Sequence, residues 1–186
     1  MAIKLKHSDS FSTYFITFTC ADWIPLFDIT NSYDLVYDWF AILKKQQHCD
    51  VIAYVIMPNH LHAILHFHQP GFNLNGIISN AKRFMAYEII NRLEVTGNSV
   101  MLEKLSQLLT AREKTKGQLH KVFKDSFAAK AIFSDNFLQQ KMNYIHLNPV
   151  KGKWQLVNDF TDYEHSSASF YEIGLVKHFT PLHYWD

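Results

Sequence analysis

Cysteine is nearly absent. Cys20 and Cys49 are the only two in 186 residues, and they form no close pair. That rules out a cysteine-rich zinc site and suits a reducing cytosol. Glycine and proline are also scarce, at six and five, so nothing reads as disordered or collagen-like. Long hydrophobic runs are missing too. The longest clean apolar run is Val51–Met57, far short of the roughly 20 residues a membrane helix needs. The first ten residues carry charges with no apolar stretch behind them, unlike a secretory signal. Net charge is also low, at +1, which is not the balance of an obvious nucleic-acid binder.

What is present is apolar and aromatic. Hydrophobic residues make up 48% of the chain and aromatics 15%, enough for the core of one domain. We expect a core over about residues 12–153, with 154–186 as a tail packing on it. The charge is unevenly spread. Residues 1–100 hold 7 Lys/Arg and 8 Asp/Glu, residues 101–153 hold 10 and 4, and residues 154–186 hold 1 and 5. The basic middle fits either a solvated helical face or a surface that meets a polyanion.

Periodicity and turn signals predict the elements. Tyr14–Thr19 is aromatic and β-branched, a strand. Ser32 is placed to cap a helix running to about His48, with Leu35, Val36, Trp39, Phe40 and Leu43 as its apolar stripe. Val51–Met57 and His60–Phe67 read as two strands joined by a Pro58-Asn59 turn. Leu74–Leu93 is helical, broken at Thr96-Gly97-Asn98, and a basic helix follows from Met101 to about Lys114. A fourth strand is expected within Val122–Phe133. Ser134 caps a last helix ending near Asn148, since Pro149 cannot continue it. This order gives an α+β fold, a ferredoxin-like antiparallel sheet with packed helices.

Two constellations carry chemistry. His60 and His62 alternate with Leu61, so both imidazoles leave one face of the strand, while Leu61, Ala63, Leu65 and Phe67 leave the other. Such a pair can share one metal ion or simply occupy a polar sheet face. His66 and His68 continue the row lower down. A cupin site would want a Glu where these stand, and an amidohydrolase needs a barrel of roughly 250 residues. In the second constellation, Tyr144-Ile145-His146-Leu147-Asn148-Pro149-Val150, Tyr144 and Asn148 lie four apart on a helix. They share a face with Phe137 and Lys141, beside the stripe of Leu138, Met142 and Ile145. Spacing does not separate a reactive Tyr144 from a packed one among nine tyrosines.

Taken together, these segments resemble a known family. Met57-Pro58-Asn59-His60-Leu61-His62 is similar to the Met-Pro-Asn-His-hydrophobic-His signature of the REP-associated tyrosine transposases, single-tyrosine enzymes of the HUH class. Tyr144–Val150 resembles the signature around their nucleophile. Ala81–Phe84 with Glu88–Arg92 looks like their middle helix, and Tyr14–Thr19 with Pro25-Leu26-Phe27 like their first strand and loop. The resemblance covers about residues 14–171. Lys151-Gly152-Lys153-Trp154 departs from the Arg-Ala-Gly-Leu-Val that many members carry next, and the 96–120 segment is longer than the minimal core requires.

The resemblance implies a metal-dependent transposase or endonuclease that cleaves and rejoins single-stranded or hairpin DNA. Its nucleophile would be Tyr144, forming a 5′-phosphotyrosine and releasing a 3′-OH. His60 and His62, with Asn148 as third ligand, would hold a divalent metal, Mg²⁺ or Mn²⁺. Lys82, Arg83, Arg92, Lys121, Lys124, Lys151 and Lys153 are the candidates for DNA phosphate contacts. The general base is not named by any motif. The expected setting is the cytoplasm, at the nucleoid, with no membrane association and with a homodimer as one assembly open to it. The competing class is a non-catalytic module: a domesticated relative that binds hairpin DNA without cutting, or an RRM-type RNA binder, which would want aromatics where the histidines stand.

Overall fold

The computed structural model describes residues 12–152 and 154–185. Four strands, β1 (Thr13–Thr19), β2 (Cys49–Met57), β3 (His60–Phe67) and β4 (Ala128–Ala131), form one antiparallel sheet in the order β2-β3-β1-β4. This is the ferredoxin-like order, with the first and third strands central. Pro58-Asn59 makes the tight β2–β3 turn, and a bulge between Val51 and Ala53 adjusts the register.

Alternation assigns each strand two faces. Tyr14, Ile16, Phe18, Tyr54, Ile56, Leu61, Ala63, Leu65 and Phe67 face the main core. That core is closed by α2 (Asp34–Gln47) through Val36, Trp39, Phe40 and Leu43, and by α3 (Leu74–Val95) through Ile78, Ala81, Met85, Ile89 and Leu93. A one-turn helix α1 (Leu26–Ile29) precedes α2. Phe15, Val55, Met57 and Ile64 face the other way, against Met142 and Ile145 of α6 (Asp135–His146). The tail contributes Trp154, Val157, Tyr163, Tyr171 and Tyr184 to this second core, with α7 (Ala168–Ile173) among its elements. It also covers the free edge of β2: Ile56 N–H donates to the His165 carbonyl at 2.8 Å, and Leu182 N–H to Val51 at 2.9 Å.

Two local expectations are corrected and two are narrowed. Ser32 does not cap α2. It is buried and its hydroxyl accepts from Thr30 Oγ1, so Tyr33 takes the cap position without a side-chain bond. The predicted helix over 101–114 is two, α4 (Ser99–Gln107) and α5 (Ala111–Thr115), because Thr110 and Glu113 form a capping box that starts a new helix. The fourth strand lies within the expected Val122–Phe133 but spans only Ala128–Ala131, and Phe123 forms just an isolated bridge to Cys20. Finally, α6 stops at His146. Asn148 opens a separate 3₁₀ turn, Asn148–Val150, because Pro149 has no N–H to extend the α pattern. Cys20 and Cys49 are buried free thiols. Among the described residues no helix is long and apolar enough to cross a membrane.

Candidate active site

The second face of the sheet, near the β2–β3 turn, opens into a cleft of about 560 Å³. It is lined by Phe15 and Thr17 of β1, Trp23, His60 and His62 of β3, Ala128 and Lys130 of β4, Lys141 and Tyr144 of α6, and Asn148. Strand alternation puts the two imidazoles there, and α6 reaches them because Met142 and Ile145 anchor it to the same face. Tyr144 flanks that anchor and stays about half exposed, at 49%.

The histidine rings are 4.7 Å apart, and the Tyr144 ring lies 5.0 Å from that of His62, nearly perpendicular. Each imidazole is held from behind. Asn59 donates its Nδ2 to the Trp23 carbonyl at 2.9 Å, which turns its Oδ1 toward His60 Nδ1 at 2.6 Å. His60 therefore carries its proton on Nδ1 and keeps a lone pair on Nε2. His62 Nδ1 meets the Thr17 hydroxyl at 2.5 Å, leaving its Nε2 as the remaining ring nitrogen. Asn148 lines the same cleft, and its side chain lies near enough to the His60 ring to favour the protonated form against the effect of burial.

Burial sets the charge state. It pushes His60 down to about 4 and His62 to about 3, the latter helped by the neighbouring His60 and by the Lys141 ammonium. Both rings are neutral at pH 7 and can donate lone pairs. No carboxylate lines the cleft, and no cluster of three or more His, Cys, Asp or Glu able to hold a metal occurs among the described residues. A cation here would have two imidazoles and one amide oxygen. That set fits a divalent ion with open coordination positions and modest affinity. The alternative pair is engaged elsewhere: His66 Nδ1 meets Thr13 Oγ1 at 2.8 Å, and His68 pairs with Asp50 at 2.6 Å.

Positive charge surrounds the tyrosine. The Lys141 ammonium sits 5.1 Å from the Phe15 and Phe137 ring centres and 5.7 Å from that of Tyr144. Its pKa is lowered, first by burial and then by Lys130. His146 points away. It is buried, pushed down to about 4 by that burial, and bonded to Ser167 Oγ at 3.0 Å.

The predicted phosphate-contacting residues divide. Lys124 lies 4.1 Å over the Trp23 ring at the cleft mouth, and Arg83 and Lys151 are exposed. Lys82 donates to the Lys124 and Asp125 carbonyls at 2.5 and 3.0 Å, so it ties α3 to the loop before β4. Arg92 is bidentate to Asp34 at 2.6 and 2.9 Å and also meets Glu88. Lys121 pairs with Glu113 at 2.6 Å. Lys153 lies outside the described residues. Sequence reasoning passed over Lys130, Thr17, Phe15 and Trp23 in the cleft; strand alternation placed Thr17 and Phe15 on the histidine face, but nothing marked Trp23. An RRM-type surface is not available on this face: its centre carries histidines and α6 packs across it.

A four-stranded antiparallel sheet with paired histidines on one face and a helix-borne tyrosine above them is the HUH endonuclease fold. Within that class, the chain has the fold of a REP-associated tyrosine transposase. The structure of one such protein bound to a REP hairpin matches with a TM-score of 0.65 at 16% identity, over 98% of this chain and 93% of that one. A candidate transposase from Deinococcus radiodurans R1 matches less well, with a TM-score of 0.44 and 12% identity, over 78% of this chain and 95% of that one. No family model matches the sequence, and a search of curated proteins finds no match.

Proposed function

We propose that this chain is a metal-dependent tyrosine transposase or endonuclease that cleaves and rejoins single-stranded or hairpin DNA, acting in the cytoplasm at the nucleoid. The observation that carries the proposal is the cleft. Two neutral imidazoles, an amide and a half-exposed tyrosine share it with two lysines and no acid. The fold shared with a transposase that binds a REP hairpin supports the same reading.

His60, His62 and Asn148 would hold Mg²⁺ or Mn²⁺. When bound, the cation neutralises charge on the scissile phosphate and polarises its P–O bond. Lys130 and Lys141 draw the DNA backbone into the cleft and favour negative charge on the Tyr144 oxygen as it develops. Tyr144 Oη attacks phosphorus, the P–O3′ bond breaks, and its electron pair leaves on O3′, which takes up a proton. The products are a 5′-phosphotyrosine and a free 3′-OH. A second 3′-OH reverses the step without ATP, because the ester is conserved. His146 plays no part in deprotonating the phenol, since it is buried against Ser167. Lys124, Arg83 and Lys151 extend the phosphate path outside the cleft.

The test is incubation with labelled hairpin DNA bearing single-stranded flanks and Mn²⁺, followed by denaturing electrophoresis. Wild type should give a covalent adduct. Tyr144→Phe should give none, yet bind the DNA and fold within about 0.5 kcal/mol of wild type, since it removes one exposed oxygen. His60→Ala should also give none and should lose Mn²⁺ binding by calorimetry. An adduct from Tyr144→Phe would move the nucleophile elsewhere. Tight binding without an adduct from wild type, with either metal, would favour a DNA-binding protein that does not cut.

A further inference from the structure

Trp23 is half exposed, at 50%, on the lip of the catalytic cleft. Its backbone is in the left-handed region, φ 58°, and so is that of Asp22, φ 49°. Asp tolerates that region, but for a side chain as bulky as Trp it is strained. The strain is held by named contacts. The Trp23 carbonyl accepts from Asn59 Nδ2 at 2.9 Å, and the Trp23 N–H donates to Cys20 at 3.2 Å. Asn59 is the residue that also orients His60, so one side chain fixes both a proposed metal ligand and the indole. The ring stands edge-on to His60, with centroids 5.8 Å apart. The Lys124 ammonium lies over its face at 4.1 Å. A large aromatic is therefore displayed in strain beside a binding site, with a cation at its surface, instead of being folded into the core.

We propose that Trp23 is the stacking platform for an unpaired nucleobase next to the scissile phosphate, with Lys124 contacting that nucleotide's phosphate. This rests on the reading of the cleft as a DNA-cleaving site and deepens it: Trp23 makes the site select unstacked, single-stranded substrate at the cleaved position. A base within a duplex has both faces occupied by its neighbours, whereas an unpaired base can offer one to the indole. Stacking is tolerant of base identity, so the platform selects strandedness rather than sequence. Exposed aromatics interleaved with lysines and no carboxylate in the lining are the chemistry of such a groove.

The test uses the full chain carrying Tyr144→Phe, so that binding is read without cleavage. The probes are a labelled oligothymidylate and an abasic oligomer of the same length, which keeps the phosphates and lacks the bases. Trp23→Ala and Trp23→Leu should each weaken oligothymidylate binding about five-fold or more while leaving the abasic oligomer unchanged, and Trp23→Phe should restore most of the loss. Trp23→Leu keeps apolar bulk at the lip, so it carries the test if Trp23→Ala folds poorly. Unchanged oligothymidylate affinity in both variants overturns the platform, as does an equal fall on both probes, which would mean Trp23 acts through the fold. Failure of the cleavage reading shows separately: the chain carrying Trp23 and Tyr144 would then give no covalent adduct with flanked hairpin DNA and Mn²⁺, whatever its affinity for oligothymidylate.

Discussion

Thr17 faces His62 across the β1–β3 register, and its hydroxyl meets Nδ1 at 2.5 Å. A bond of this kind fixes ring orientation and raises the basicity of the opposite nitrogen, so its loss is felt by any metal on Nε2. Thr17→Val keeps the shape and removes the hydroxyl. Mn²⁺ affinity, measured by calorimetry, should fall about 10- to 100-fold, while urea unfolding shows a cost of only about 1 kcal/mol. If affinity is unchanged, His62 is not a ligand. The role of Thr17 was partly legible in its sequence position: it shares β1's polar parity with Thr13 and Thr19, but nothing local says which histidine it will meet. Asn59 was visible within the Met-Pro-Asn-His segment, yet its double use, to Trp23 and to His60, needs two loops brought together.

The helix α3 carries a charged residue whose hydrogen bonds are spent within the fold. The Lys82 ammonium is mostly buried, and burial pushes it down to about 8. Two of its three hydrogens go to the carbonyls of residues 124 and 125, which hold the loop carrying Lys124. Lys82→Met should therefore lower stability in urea by roughly 1.5–3 kcal/mol. The slope of log affinity for single-stranded DNA against log salt should not change. Lys141→Ala, by contrast, should flatten that slope by about one unit. The reverse pattern would return Lys82 to the DNA surface and remove Lys141 from it. Strand and helix positions were readable from period two and period 3.6, because burial of one face is a local rule. The break before α5 was missed, although Thr110 and Glu113, three residues apart, are its local signal. The end of α6 was readable from Pro149, which cannot extend the α pattern, but the 3₁₀ turn that follows it was not.

Across the molecule, the sheet separates a main core from a second one, and the tail completes the second. His165 lies where tail and main core meet, stacked on Tyr33 at 3.6 Å with its Nδ1 3.0 Å from the Tyr37 hydroxyl. Burial lowers it to about 4 despite the attraction of Glu164. Its folded pKa is thus below the unfolded value near 6.5, so the unfolded chain binds the proton more readily. The stability it contributes is complete above pH 6.5 and is lost as pH falls through 6.5 toward about 4. Urea unfolding followed from pH 7.5 to 4.5 should show that decline. His165→Phe keeps a ring on Tyr33 and cannot titrate, so its decline should be shallower. Parallel curves for the two proteins would place the acid sensitivity in other buried histidines.

Residue order alone carried the strand parity that puts His60 and His62 on one face, the turn between β2 and β3, and the helix that bears Tyr144. Each follows from rules acting over a few residues: alternation, helical period, proline and capping chemistry. The likeness of the two short signatures then joined segments more than 80 positions apart. Which cations are free was decided elsewhere. Ten Lys/Arg in residues 101–153 look equivalent along the chain, yet Lys121 is paired with Glu113 while Lys130 and Lys141 line the cleft. Partners for a long flexible side chain come from whatever the fold brings within reach, and sequence distance does not constrain that. The same holds for Trp23, whose placement beside His60 rests on a strained turn, the β2–β3 loop and the 121–127 segment meeting in space.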